Sequence, residues 1–145
     1  MPLTSIKFEN GAKIIASSTS ATAVRGDSFN CIVLDEFAFV PNNIAEEFFA
    51  SVYPTISSGH TSKVIIVSTP KGMNMFYKIW KDALGGKNPY KAVEAKWWEV
   101  PGRDDAWKET TKKALGSDRL WSAEYECEFL GSEDTLIRTN KLSTL

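Results

Sequence analysis

Cysteine and histidine are scarce in this sequence: two cysteines and one histidine in 145 residues. Cys31 and Cys127 lack the paired spacing of a metal site, and each sits among apolar neighbours. That usage points to reduced thiols and a cytosolic setting rather than a disulfide-stapled secreted domain. His60 lies in the turn-like stretch SSGHTS with no cysteine or acidic companion at ligand spacing, so it reads as a surface residue. No apolar run approaches the roughly 20 residues that a membrane helix needs. The start, MPLTSIKFENG, has neither the basic beginning nor the apolar stretch of a signal peptide. A strong charge of one sign is also missing. With a net charge of −1 the chain has no general field for nucleic acid, and any such contact must be local or come from another segment. Internal repeats and low-complexity tracts are absent as well. What is present is a hydrophobic content of 43%, enough for one domain with a core.

Along the chain, residues 5–8 and 13–17 read as short strands joined at Asn10-Gly11, a strong hairpin signal. Residues 17–27 are small and polar and read as loop. The run 29–34 is continuously apolar and short, which predicts a strand buried on both faces, as in a parallel sheet. Pro41-Asn42-Asn43 is a breaker and capping cluster, and a helix is predicted over 44–52 with Glu46 and Glu47 in its first turn. Residues 57–62 read as a turn and 63–67 (KVIIV) as a second buried strand, interrupted by Pro70-Lys71-Gly72. A helix is predicted over 73–84, where Phe76, Tyr77, Trp80 and Leu84 recur on one face and Gly85-Gly86 ends it. The aromatic and β-branched content of 90–100 predicts a strand, closed by Pro101-Gly102. Helices are predicted over 104–115 and over 117–129, the second capped by Ser117. Beyond Gly131 the tail is polar. Apolar strands alternating with helices give an α/β chain with a mostly parallel sheet.

In such sheets, ligands sit off the carboxyl ends of the strands. Two polar pairs occupy that position here: Asp35-Glu36 after CIVL, and Ser68-Thr69 after KVIIV. An apolar strand ending in adjacent acids is the pattern of a Walker B motif. There the first acid holds Mg²⁺ together with phosphate oxygens, and the second handles the proton of an attacking water. The competing reading is plain: acids are common where strands reach the surface, and Ser-Thr before a proline often only shapes a turn. A phosphate-binding loop, G-x-x-x-x-G-K-S/T, should accompany a Walker B motif. None occurs in this sequence, so the chain holds no phosphate cradle of its own.

Two blocks carry a family resemblance. VRGDSFNCIVLDEFAFVPN (24–42) and KVIIVSTPKGMNMFYKIW (63–80) together resemble the large terminase subunit of tailed bacteriophages. The second contains Pro-x-Gly-x-x-x-x-Tyr running into a helix, at Pro70, Gly72 and Tyr77. The FENG hairpin (8–11), Arg25-Gly26, and the tail pattern Gly131…Leu136-Ile137 also follow the family pattern. The resemblance thus spans nearly the whole chain.

The resemblance implies the C-terminal half of a terminase ATPase domain over 1–131. Residues 132–145 would then be a polar tail at the boundary to a nuclease domain outside this chain. The implied fold is a P-loop NTPase of the ASCE type, as a partial domain lacking the P-loop. Carried over position by position, Asp35 would bind Mg²⁺, Glu36 would be catalytic, and Ser68 and Thr69 would form the coupling motif that senses nucleotide state. Arg25 would reach a phosphate. ATP and Mg²⁺ are the implied cofactors, with the site incomplete in this chain. The implied partners are double-stranded DNA, the portal protein, the small terminase subunit and a separate P-loop-bearing segment. The implied location is the host cell cytoplasm, with no membrane association. On this reading ATP hydrolysis drives viral DNA into a capsid, and the isolated chain has little activity.

Two alternatives stay open on the residues: an inactive prophage remnant or non-catalytic interaction module, and a fragment of a helicase-like ATPase. The Pro-x-Gly-x-x-x-x-Tyr pattern argues against the helicase. Lys71, Lys78 and Lys81 form either a basic face toward DNA or an ordinary solvated helix surface. Trp97-Trp98 would stack on bases or, within a strand, point to opposite faces, one into the core and one toward a helix or partner.

Overall fold

The computed structural model describes residues 4–19, 29–57 and 61–131. It is α/β, with four short strands and four α-helices among those residues, and the chain folds as two compact units. Arg25, Gly26, His60 and the 132–145 tail lie outside the described residues.

The first unit comprises residues 1–34 and 40–66. Strands β1 (Thr4–Lys7) and β2 (Lys13–Ala16) pair antiparallel, with Ile6 opposite Ile14. The hairpin closes where predicted. Gly11 takes φ +84°, its N–H reaches Phe8 O at 3.0 Å, and Asn10 Oδ1 accepts from Ala12 N–H at 3.0 Å. An asparagine side chain and a glycine in the left-handed region are what the tight reversal requires.

Strands β3 (Cys31–Leu34) and β4 (Lys63–Ile66) pair parallel, in register Cys31↔Lys63 to Leu34↔Ile66. Helix α1 (Asn42–Ser57) supplies the crossover. Ile32 and Leu34 share an apolar cleft with Phe48, Phe49 and Val52 of α1. At about 10 Å³ the cleft has room for about one water and no ligand.

Three expectations are corrected in this unit. The sheet is not mostly parallel: the described strands form two separate pairs, one antiparallel and one parallel. β3 is buried on one face only, since Ile32 and Leu34 are covered whereas Val33 is 60% exposed. Alternation follows from the pleat, and α1 covers only the side that Ile32 and Leu34 occupy. Helix α1 begins earlier and runs further than 44–52. Glu46 and Glu47 therefore fall beyond its first turn, and it continues through Pro54. A proline there costs one backbone bond without ending the helix.

The second unit comprises residues 35–39 and 67–145. Helix α2 (Met75–Leu84) is capped by Asn74, whose side chain accepts from Tyr77 N–H, and ends at Gly85. Its aromatic face closes on a single ring, Phe129, which lies 5.9 Å from Phe76, 5.1 Å from Tyr77 and 6.4 Å from Trp80. Leu84, predicted for the same face, is 67% exposed.

Helix α3 (Asp105–Leu115) is capped by Asp104 and stopped by Gly116 at φ +68°. Gly116→Ala places a Cβ in open space but in a backbone region that L-residues disfavour. It is expected to lower stability by about 1–2 kcal/mol in a denaturant titration. Helix α4 (Asp118–Tyr125) has the predicted Ser117 cap, with Oγ accepting from Leu120 N–H at 3.3 Å. It ends before 129 because Cys127 adopts φ +57° and turns the chain. That turn frees Phe129 from the helix and lets it reach α2. Burial pushes the Cys127 thiol up from its ordinary pKa, and Sγ donates to Ala95 O at 3.4 Å. Lys112 and Asp118 pair at 2.9 Å between α3 and α4, and this bond raises the lysine pKa.

The predicted strand over 90–100 does not form. Residues 90–96 have no regular structure, and Trp97–Glu99 make a 3-10 turn. No strand pairs with the segment among the described residues, and the Glu99 carboxylate instead accepts from Lys96 N–H at 2.6 Å. The turn sends Trp97 into an aromatic cluster with Trp107, Trp121 and Tyr125. Trp97 is 7% exposed and Trp98 52%. Trp97 enters the core as expected, while Trp98 keeps half its surface exposed, and a helical turn rather than a strand divides the pair.

Candidate functional site

The chain leaves β3 at Leu34 and turns at once. Asp35 and Glu36 are both exposed, and Asp35 Oδ1 accepts from Glu36 N–H at 3.1 Å. Glu36 has φ +52°, the left-handed region, where a non-glycine residue is uncommon and strained by about 1–3 kcal/mol. This conformation ends the extended run and redirects the Glu36 side chain from the line of the strand. A 3-10 turn follows over Phe37–Phe39, with Phe39 N–H bonded to Glu36 O at 2.9 Å. Phe37 and Ala38 are buried and anchor the turn.

The segment after β4 grips this acidic turn through Val67 and Ser68. Phe37 N–H donates to Val67 O at 3.2 Å. Ala38 N–H donates to Ser68 Oγ at 3.1 Å, and the same hydroxyl donates to Thr69 O at 2.9 Å. Ser68 thus spends both its acceptor and its donor on fixed backbone groups. Thr69 Oγ1 donates to the Glu124 carboxylate of α4 at 3.3 Å. Asn74 adds another tie, its Nδ2 donating to Ala38 O at 2.6 Å. Lys71 Nζ lies 4.6 Å from the centre of the Phe39 ring.

Of the residues singled out from the sequence, the structure therefore brings Asp35, Glu36, Ser68 and Thr69 into one hydrogen-bonded region. Arg25 lies outside the described residues. Lys71, Lys78 and Lys81 are exposed, with Lys71 over Phe39 and Lys81 Nζ 5.5 Å from the centre of the Tyr77 ring. Asn74 and Glu124 were not singled out. Asn74 carried a signal, an asparagine just before the apolar-periodic run of a helix. Glu124 carried none.

Metal capacity is limited. Among the described residues, no group of three or more His, Cys, Asp or Glu side chains is placed to enclose an ion. One or two exposed carboxylates suit Mg²⁺, which keeps waters and takes phosphate oxygens, better than an ion needing an all-protein cage. No ion pair among the described residues occupies Asp35 or Glu36.

The chain is thus α/β, with an acidic turn at the end of one strand held by Ser68 from the segment after the other. Residues 3–144 match the family model described as the terminase large subunit, T4likevirus-type, N-terminal. The chain belongs to this family. The match is to the N-terminal part of the large subunit, where the sequence resemblance implied the C-terminal half of its ATPase domain. The chain is also similar to the "Terminase, large subunit" of Thermus phage G20c and of Thermus virus P23-45. Each is 27% identical over 128 residues, covering 78% of this chain. The chain spans about a quarter of the length of these curated relatives, 25% in both cases.

Proposed function

We propose that this chain supplies the acidic and coupling elements of the ATPase in a DNA-packaging terminase large subunit. On this reading it forms a P-loop NTPase unit together with a P-loop-bearing segment. The observation that carries the proposal is the clamp between the two strand-end pairs. Ser68 Oγ accepts from Ala38 N–H, so the residue after β4 holds the turn that presents Asp35 and Glu36. A surface acid pair with no chemical task has no need of a strained glutamate in a turn that is fastened at Ala38 from two directions.

In the proposed mechanism Asp35 would hold Mg²⁺, an ion that also takes phosphate oxygens. When bound, the ion would neutralise phosphate charge. Glu36 orients a water and accepts its proton at a carboxylate oxygen. The turn keeps the carboxylate in place, because Phe37 and Ala38 are buried and hydrogen-bonded. Ser68 and Thr69 connect that turn to the rest of the second unit: Ser68 through Ala38, and Thr69 through Glu124 on α4. A change at the acid pair is then passed on as a change in those bonds. DNA, portal and small-subunit contacts belong to the assembled machine in the host cytoplasm. Among the described residues no helix is long and apolar enough to cross a membrane.

The test is complementation. The chain is joined to the preceding P-loop-bearing segment of a terminase relative, and ATP hydrolysis is followed with and without Mg²⁺. Mg²⁺-dependent turnover that neither piece shows alone is expected. A folded, joined protein that binds no nucleotide would favour the non-catalytic interaction module instead.

A further inference from the structure

We propose that Asn74 is a positioning residue for Glu36, joining the start of α2 to the acidic turn; the role rests on the ATPase reading above. The two ends of its amide have different tasks. Oδ1 accepts from Tyr77 N–H at 3.2 Å and so caps α2. Nδ2 donates to Ala38 O at 2.6 Å. Ala38 is 3% exposed, and its own N–H is bonded to Ser68 Oγ. Its peptide groups are therefore held from two elements: the segment after β4 through N–H, and the start of α2 through C=O. Glu36 lies two residues upstream, and its carbonyl accepts from Phe39 N–H at 2.9 Å within the same turn. A strained left-handed residue persists only where its surroundings over-determine it. The Asn74 bond is one of the few here that can do so.

The chemistry of the position is specific. An ordinary N-cap needs only an acceptor, and Asp, Ser or Thr would serve equally well. Bonding a carbonyl as well requires a donor on the same short side chain; a hydroxyl has donor and acceptor on one atom, whereas the asparagine amide sets them on two separate atoms and so reaches two sites apart. Aspartate would keep the cap and its favourable interaction with the helix N-terminus, but it would set a carboxylate oxygen against Ala38 O. Asn74→Asp therefore separates the two tasks, whereas Asn74→Ala removes both.

The experiment has two readouts. In the full chain, amide hydrogen exchange is followed by NMR in wild type and Asn74→Asp. Phe37 and Ala38 amides are expected to exchange roughly tenfold faster or more, while Tyr77 and Lys78 change by less than about twofold. Uniform acceleration across the second unit, or none at Phe37 and Ala38, would overturn the bracing. In the P-loop-completed protein, kcat of Asn74→Asp is expected to fall by about tenfold or more, with KM for Mg·ATP moving less than about threefold. An unchanged kcat, in an enzyme that Glu36→Gln disables, would overturn the positioning role while leaving the ATPase reading intact. If Glu36→Gln leaves turnover unaffected, the ATPase reading itself has failed, the proposed role falls with it, and hydrogen exchange still decides whether Asn74 braces the turn.

Discussion

Glu36→Gln in the P-loop-completed protein is expected to lower ATP turnover by about 10²–10⁴-fold, with nucleotide affinity changed only a few-fold. Glutamine keeps the length and shape of the side chain but cannot take a proton from water. Both residues meet the same penalty at φ +52°, so the fold of the turn is expected to survive the change. Turnover within about threefold of wild type would remove Glu36 from the mechanism. A companion variant separates strain from chemistry. Glu36→Asn places a residue better suited to the left-handed region at the same site, and it is expected to leave stability unchanged or raise it by up to about 1 kcal/mol while turnover is still lost. That pairing, a fold made easier by a change that disables the reaction, is the signature of strain retained for function.

The largest stability effect is expected at Trp121. This residue is 1% exposed and stacks on Tyr125 at 4.6 Å, with Trp97 at 5.9 Å and Trp107 at 6.1 Å. Its Nε1–H donates to Glu126 Oε1 at 2.9 Å. Trp121→Ala removes the centre of the cluster and leaves a cavity that three neighbouring rings cannot collapse to fill. The expected loss is about 3–5 kcal/mol, read by denaturant unfolding. Trp98→Ala is the control: with half its surface already in water, it is expected to cost about 1 kcal/mol or less. A loss below about 1 kcal/mol for Trp121→Ala would mean that the second unit does not depend on its aromatic cluster.

Much of the local structure was legible in the sequence because it rests on short-range chemistry. Asn10-Gly11 specifies its hairpin through a side-chain acceptor and a permitted positive φ. Ser117 caps α4 and Gly116 ends α3 for reasons contained within a few residues of each. The strand-end acids and the Ser-Thr pair were also readable, because apolar runs of four or five residues end sharply in both cases. The failures share a cause. An aromatic, β-branched segment at 90–100 becomes a strand only if another strand accepts it. Here Trp97 instead finds two aromatic partners, Trp107 of α3 and Trp121 of α4. The 29–34 run predicted burial on two faces, but a sheet face is buried only where another element covers it, and α1 covers one.

The sequence by itself determined the hairpin, the Ser117 cap, the family and the identity of the acid and Ser-Thr pairs. Only the tertiary structure decided how those pairs are joined. Ala38 meets Ser68 across 30 residues and Asn74 across 36. No local propensity encodes such bonds. They exist because the parallel register of β3 and β4 brings the ends of two distant segments side by side, where buried backbone groups must find partners.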